Sequence, residues 1–158
     1  MGLAATTPRR GGPARRGPGD RDFSLPLEVT RELDTAVGRA RGAKLADRLA
    51  AASRAYARDR YPEAFRITKT LVGQVPESAS ARELHGLVCY RMGRFREAIR
   101  HLDAARRLSA DDPSQLPVIM DCHRALGHHR RLEELWQELR AASPDADVLA
   151  EGRLVVAA

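Results

Sequence analysis

Two cysteines and five histidines are the side chains of this 158-residue sequence that most readily act as nucleophiles or metal ligands. Four of them, Cys122, His123, His128 and His129, fall close together in one segment. Thiolate and imidazole groups bind zinc, and zinc sites usually show a Cys-x-x-Cys pair or spaced histidines. The segment has no Cys-x-x-Cys pair and no His-x-x-x-His pair. We therefore expect turn residues here and no metal site.

The other candidates for catalysis are equally weak. Cys89 lies in an apolar stretch that is typical of a small buried thiol. Cys122 and His123 are adjacent, and adjacent helix residues point about 100° apart, so they do not form a nucleophile–base pair. The sequence also lacks a Gly-x-x-x-x-Gly-Lys loop for phosphate. We predict a protein that is not an enzyme and has no cofactor and no small-molecule substrate.

The basic excess is concentrated at the N-terminus. The chain has a net charge of +6, and residues 1–22 contain five arginines, two aspartates, five glycines and three prolines. Such a segment has too few apolar residues to offset its ordering entropy, so we predict a disordered basic tail over residues 1–22. Arginine-rich tails bind nucleic acid through its phosphates. The candidate contacts are Arg9, Arg10, Arg15 and Arg16.

Beyond the tail, the apolar pattern predicts an all-α fold. Leu25, Val29, Leu33 and Val37 recur every four residues, which predicts a helix that begins near Pro26. Helical spacing continues to the C-terminus, and no segment alternates in the manner of a strand. No apolar run reaches the roughly 20 residues that a membrane-spanning helix needs.

Short-range signals mark where individual helices begin and end. Gly38 and Gly42 bracket a predicted loop. Ser80, followed three residues later by Glu83, matches the capping box of a helix start. Ser114 is the predicted cap of a later helix.

A 34-residue repeat organises the helical region. A shift of 34 aligns five residues with identical ones, namely Tyr56, Arg60, Glu63, Ala64 and Arg66 with Tyr90, Arg94, Glu97, Ala98 and Arg100. A second shift of 34 aligns Gly93 with Gly127 and Ala98 with Leu132. The turn signals keep the same register, which predicts three units of two helices each. The units span about residues 45–78, 79–112 and 113–146.

The central unit resembles the tetratricopeptide repeat. It has a small residue and an aromatic residue in its first helix, a glycine at the turn, and an aromatic residue and an alanine in its second helix, namely Gly86, Tyr90, Gly93, Phe95 and Ala98. The whole chain also resembles short, arginine-rich tetratricopeptide proteins of high-GC bacteria, which implies no particular activity. The resemblance implies a helical solenoid of about three helix pairs. The resemblance also implies that three residues pack between the two helices of their own units, namely Ala64, Ala98 and Leu132.

Both ends of such a stack present apolar faces that need cover. We expect the helix near residues 26–37 to cover the first unit. A capping helix over about residues 147–157 would cover the third unit with Leu149, Leu154, Val155 and Val156. The helical domain as a whole is predicted to span residues 23–158.

Tetratricopeptide proteins bind partners along the first helices of their units, in a concave groove. The resemblance assigns that role to Tyr56, Glu83, Leu87, Tyr90, Arg91, Asp121 and Arg124. We expect Arg91 and Arg124 to be exposed and to converge on one ligand, whereas Gly86 and Cys89 should be buried.

The predicted function is a cytoplasmic, non-enzymatic interaction module that binds a peptide segment or helix of another protein. The alternative is a nucleic-acid- or ribosome-associated accessory protein that uses the basic tail. A third and weaker alternative is a small enzyme or metal protein built on residues 122–129. Membrane association is not expected.

Overall fold

The computed structural model describes residues 24–142 and 144–158, so the predicted tail of residues 1–22 lies outside the described part. Within these ranges the chain is helical and contains no strand, which confirms the all-α prediction there. None of these helices is both long enough and apolar enough to cross a lipid bilayer. The elements, with one short 3₁₀ turn at Pro113–Gln115, are α1 Leu27–Val37, α2 Arg39–Ala57, α3 Tyr61–Gln74, α4 Ala79–Arg91, α5 Phe95–Leu108, α6 Leu116–Ala125, α7 His129–Ala141 and α8 Ala146–Ala157.

Helix boundaries recur at the interval found in the sequence. Helices α2, α4 and α6 end at Ala57, Arg91 and Ala125, and helices α3, α5 and α7 begin at Tyr61, Phe95 and His129. The intervening turns share one left-handed position, occupied by Asp59, Gly93 and Gly127 with φ of 57°, 73° and 74°. The next residue of each turn donates its N–H to the carbonyl oxygen five positions earlier at 2.9 Å, in the pairs Arg60–Ala55, Arg94–Cys89 and His128–His123.

These turns fold each first helix back against the second helix of the same pair. Helix α2 packs on α3, α4 on α5, and α6 on α7. Each pair also contacts the next, because α3 packs on α4 and α5 on α6. The first helices α2, α4 and α6 touch in sequence as well, so they form one continuous layer.

The core is leucine-rich at both ends and built from small residues in the middle. The two large clusters centre on Leu33, Leu45, Leu49 and Leu71 at one end and on Leu116, Leu132, Leu135 and Leu139 at the other. Between them lie small buried side chains, among them Ala55, Ala64, Cys89, Ala98 and Cys122. Ala64, Ala98 and Leu132 are all buried, in agreement with their predicted positions between helices. The small side chains let the central helices approach closely.

The predicted loop between Gly38 and Gly42 is wrong. Only Gly38 separates α1 from α2. Its φ is 84°, and α2 begins at the next residue, Arg39. Gly42 is a buried helical residue because α1 crosses α2 there. A Cβ atom at Gly42 would lie 2.9 Å from the backbone N and Cα atoms of Asp34. The glycine therefore permits a close helix contact and does not form a turn.

Two predicted helix caps are also wrong. Helix α4 begins one residue before Ser80, and its cap is Ser78, whose hydroxyl oxygen accepts from the N–H of Ala81. Ser80 instead donates to the carboxylate of Glu32 on α1 at 2.7 Å, a contact that no local pattern reveals. Ser114 lies inside the 3₁₀ turn. Its N–H donates to the side-chain carboxylate of Asp112, the residue that caps this turn, at 2.8 Å.

Helices α1 and α8 flank the three pairs. Helix α1 packs on α2, and the carboxylate of Glu32 joins it to the start of α4. Helix α8 packs on α6 and α7, with Leu149 and Val155 against the C-terminal cluster. The prediction that Leu154 and Val156 also cover this end is wrong, because they are 72% and 39% exposed. Gly152 is buried at this end instead, and a Cβ atom at its position would collide with the side chains of Leu139 and Trp136.

Candidate functional site

The predicted partner-binding residues lie on one layer formed by α2, α4 and α6. Successive positions 34 residues apart form two rows, which together we name the first-helix surface: Ser53, Leu87 and Asp121, and Tyr56, Tyr90 and Arg124. All six side chains are half-buried. Their neighbours along α4, such as Gly86 and Cys89, are buried, as the sequence analysis predicted. The six side chains are therefore fixed by the helices below them while one side stays open to solvent.

A hydrogen-bonded network joins α4 to α6 on this surface. The hydroxyl of Tyr90 donates to one carboxylate oxygen of Asp121 at 2.7 Å. Arg124 donates to the other carboxylate oxygen at 2.8 Å. Arg124 keeps 38% of its side chain exposed, so its guanidinium group still has donors for a ligand. The network fixes the positions of an aromatic ring and a cation beside each other.

The environment of Tyr90 makes a prediction for alkaline pH. Burial, together with the hydrogen bond to Asp121, raises the pKa of the Tyr90 phenol from 10.0 to about 12. The folded state therefore favours the neutral phenol. Its contribution to stability is complete below pH 10 and is lost as the pH rises through 12. We expect phenolate absorbance to show one tyrosine that ionises near pH 12 and is missing in Tyr90→Phe. Ionisation of all tyrosines near pH 10 in the folded protein would contradict this assignment.

Arg91 has partners different from those of Arg124. Its guanidinium carbon lies 4.9 Å from the ring centre of Tyr61, and one of its nitrogens lies 3.8 Å from a carboxylate oxygen of Asp59. Tyr56 packs edge-on against the same Tyr61 ring, with 5.7 Å between ring centres. Arg91 is 47% exposed at its side chain, as predicted. The two arginines thus mark two separate cationic points on α4 and α6.

Beside Ser53 and Leu87, the first-helix surface borders an apolar pocket. A pocket of about 260 Å³ opens between the start of α1 and the helices α2 and α4. Its lining residues are Leu25, Pro26, Val29, Leu49, Ser53, Ser80, Glu83, Leu84 and Leu87. Glu83 is half-buried at its edge and accepts from the side-chain amide of Gln115 at 2.6 Å, and burial raises the pKa of its carboxyl group. The pocket combines apolar walls with one carboxylate.

The segment 122–129 does not gather its four chemical groups. Cys122 is fully buried in the central cluster. The rings of His123 and His128 face each other at the turn, with 3.1 Å between their Nδ1 atoms, and His129 is exposed at the start of α7. Burial raises the pKa of the Cys122 thiol to about 12, which disfavours the thiolate at neutral pH. The four tail arginines of the alternative function lie outside the described residues.

One group of possible metal ligands was missed in the sequence. In the described part of the chain, His85, Cys89 and Glu97 bring one ligand atom each to within 4.8 Å of one another. His85 and Cys89 are four residues apart on α4, and Glu97 comes from α5. The signal available in the sequence was the His-x-x-x-Cys spacing, which places two ligands on one helix face. The third ligand becomes visible only when the two helices are packed.

Comparisons with known proteins give no relative on which to base an assignment. No protein-family model, no curated protein and no solved structure matches the chain.

Proposed function

We propose that the helical part of the chain is a solenoid of the tetratricopeptide type and works as a non-enzymatic protein-binding module. One observation supports this proposal above all others. The left-handed turn position and its backbone hydrogen bond recur at the same place in three helix pairs, 34 residues apart. A backbone geometry that repeats at this interval is what stacked two-helix units require. Stacked units place their first helices side by side, and such surfaces bind extended partners.

The proposed ligand is a peptide segment or helix of another protein that has an apolar anchor and a carboxylate. The pocket between α1, α2 and α4 is lined mainly by apolar residues and accepts an apolar side chain. Arg91 and Arg124 offer planar donors for a carboxylate. Arg91 lies over the Tyr61 ring, and its ion pair with an exposed aspartate is long, at 3.8 Å, so a ligand carboxylate can replace that aspartate. Aromatic and arginine side chains of this kind dominate interface energetics.

The absence of catalysis is also part of the proposal. Both cysteines are fully buried, and burial raises the pKa of each thiol to about 12. A protonated, inaccessible thiol is a poor nucleophile. The proposed site of action is the cytoplasm, where free cysteines persist.

A second candidate function rests on the outer face of the central pair. An open cavity of about 530 Å³ there is lined by Arg82, Arg100 and Arg107, together with one carboxylate, that of Glu77. Three arginines around one cavity suit phosphate groups, and this arrangement favours the nucleic-acid alternative. Arg106 lies on the same helix as Arg100 and Arg107. Its guanidinium group forms an ion pair with Glu138 at 2.7 Å, so we do not count it among the phosphate-binding arginines of this face.

A panning experiment separates the two functions. The full-length chain is immobilised and exposed to a displayed library of random peptides, and in parallel to a single-stranded RNA oligonucleotide. The module proposal predicts peptides with an apolar residue and an acidic residue, and binding that salt reduces only weakly. Binding of the RNA alone, with an affinity that falls steeply between 50 and 200 mM salt (~10³-fold or more for several phosphate contacts), would overturn it.

A further inference from the structure

The buried cluster of His85, Cys89 and Glu97 has the dimensions of a zinc site. Nε2 of His85 lies 3.7 Å from Sγ of Cys89 and 3.6 Å from a carboxylate oxygen of Glu97. A tetrahedral zinc ion with ordinary bond lengths places nitrogen and sulfur about 3.6 Å apart, and nitrogen and oxygen about 3.4 Å apart. The remaining separation, between Sγ and the carboxylate oxygen, is within 4.8 Å, against about 3.6 Å in such a site, so a side-chain movement of about 1 Å closes the three atoms around one ion.

The second ring nitrogen of His85 is held in the way that metal-binding histidines require. The hydroxyl of Thr68 donates its one hydrogen to the carbonyl oxygen of Ala64 at 2.9 Å. In the tautomer with its hydrogen on Nδ1, His85 donates that hydrogen to the same oxygen, which lies 2.8 Å away. A neutral ring in this tautomer carries its lone pair on Nε2, which faces Cys89 and Glu97. Contacts of this kind orient the ligand ring in metal sites.

The cluster holds one carboxylate, that of Glu97, with the cationic side chains of Arg94 and Arg100 nearby. Arg94 donates to the second carboxylate oxygen of Glu97 at 3.1 Å and leaves the first one directed at His85. A thiolate and a carboxylate together neutralise one divalent ion, so the occupied site would bury no net charge. Cys89 and His85 are 0% and 2% exposed, whereas the Glu97 side chain is 26% exposed and gives the ion a route from solvent.

We propose that His85, Cys89 and Glu97 bind one zinc ion that links α4 to α5, with a water molecule as the fourth ligand. Binding replaces the hydrogen of the Cys89 thiol by a zinc–sulfur bond and releases one proton to solvent. No electron is transferred. The ion acts by holding the two helices of the central pair together. This proposal is independent of what the first-helix surface binds.

The test uses zinc alone as the probe. The full-length chain is unfolded in a chelator, refolded with or without zinc chloride, and dialysed, and bound metal is measured by atomic emission. We expect one zinc ion for each chain. Refolding with cobalt should give a tetrahedral ligand-field spectrum and a sulfur-to-cobalt charge-transfer band. A chain that retains no metal, or a cobalt spectrum without the sulfur band, would overturn the proposal.

Matched variants locate the ion. Cys89→Ser should lower zinc affinity at least 10-fold, whereas Cys122→Ser, which changes an equally buried thiol in the same cluster, should leave it unchanged. Thr68→Val should weaken binding by about 10- to 100-fold through the orientation of the histidine ring. Zinc binding that survives in Cys89→Ser but disappears in His123→Ala would place the ion at the exposed histidine pair and contradict the proposal. If Cys89→Ser does not fold, the sulfur band of the parent protein decides.

Discussion

Replacement of Gly86 by valine will lower the free energy of unfolding by at least about 2 kcal/mol. Gly86 is buried on α4 against α5. A Cβ atom at this position would lie 2.6 Å from Cγ and 3.2 Å from the backbone nitrogen of Leu102. Leu102 is itself fully buried in the C-terminal cluster, so moving it would disturb the packing of that cluster. The helices of the central pair must therefore separate, which costs packing on both sides.

Gly73→Ala is the matched control for this substitution. Gly73 is also helical, but a Cβ atom there meets no atom within 4 Å. Alanine should therefore raise stability by up to about 1 kcal/mol through helix propensity. Urea denaturation followed by circular dichroism measures both variants. Equal stability of Gly86→Val and the parent protein would show that α4 and α5 do not pack as the structure describes.

The double substitution Arg91→Ala with Arg124→Ala will weaken binding of a panned peptide by about 30-fold or more, which corresponds to roughly 2 kcal/mol. The two side chains are exposed by 47% and 38%; Arg124 belongs to the first-helix surface, and Arg91 follows Tyr90 of that surface on α4. The fold should remain intact, because exposed arginines contribute little to stability. Peptide affinity is measured by calorimetry, and helicity and melting temperature report on the fold.

The control for this prediction removes the same charge from the outer side of the central pair. Arg96→Ala with Arg107→Ala changes two exposed arginines of α5 and should leave peptide affinity within about twofold. A larger loss in this control than in the first-helix double variant would mean that the ligand binds the outer face.

The sequence predicted best those features that depend on residues close together in the chain. The turns at Gly93 and Gly127 were recognised because a glycine with positive φ leaves a local signature. Asp59 adopts the same conformation without that signature, and only its place 34 residues before Gly93 relates it to the other turns. The small size of Ala64 and Ala98 likewise indicated where two helices approach.

Features that depend on a partner far along the chain were not predictable. The capping pattern at Ser80 failed because Glu32, which lies on another helix, takes its hydroxyl. Gly42 was predicted to lie at a loop, but a close crossing of two helices also requires glycine, and that is its place here. The proposed ligands His85 and Glu97 are separated by a turn, and only the packing of α4 on α5 brings them together. In each case the deciding contact is tertiary.

The most direct test of the central claim is a map of amide chemical-shift changes in the ¹⁵N-labelled full-length chain upon addition of a panned peptide. If the peptide binds the first-helix surface, the changes will cluster on α2, α4 and α6 and will continue to the pocket beside α1. The expected positions are 53, 56, 87, 90, 121 and 124. Changes confined to the outer helices, around Arg100 and Arg107, would contradict the claim that the first helices form the binding surface.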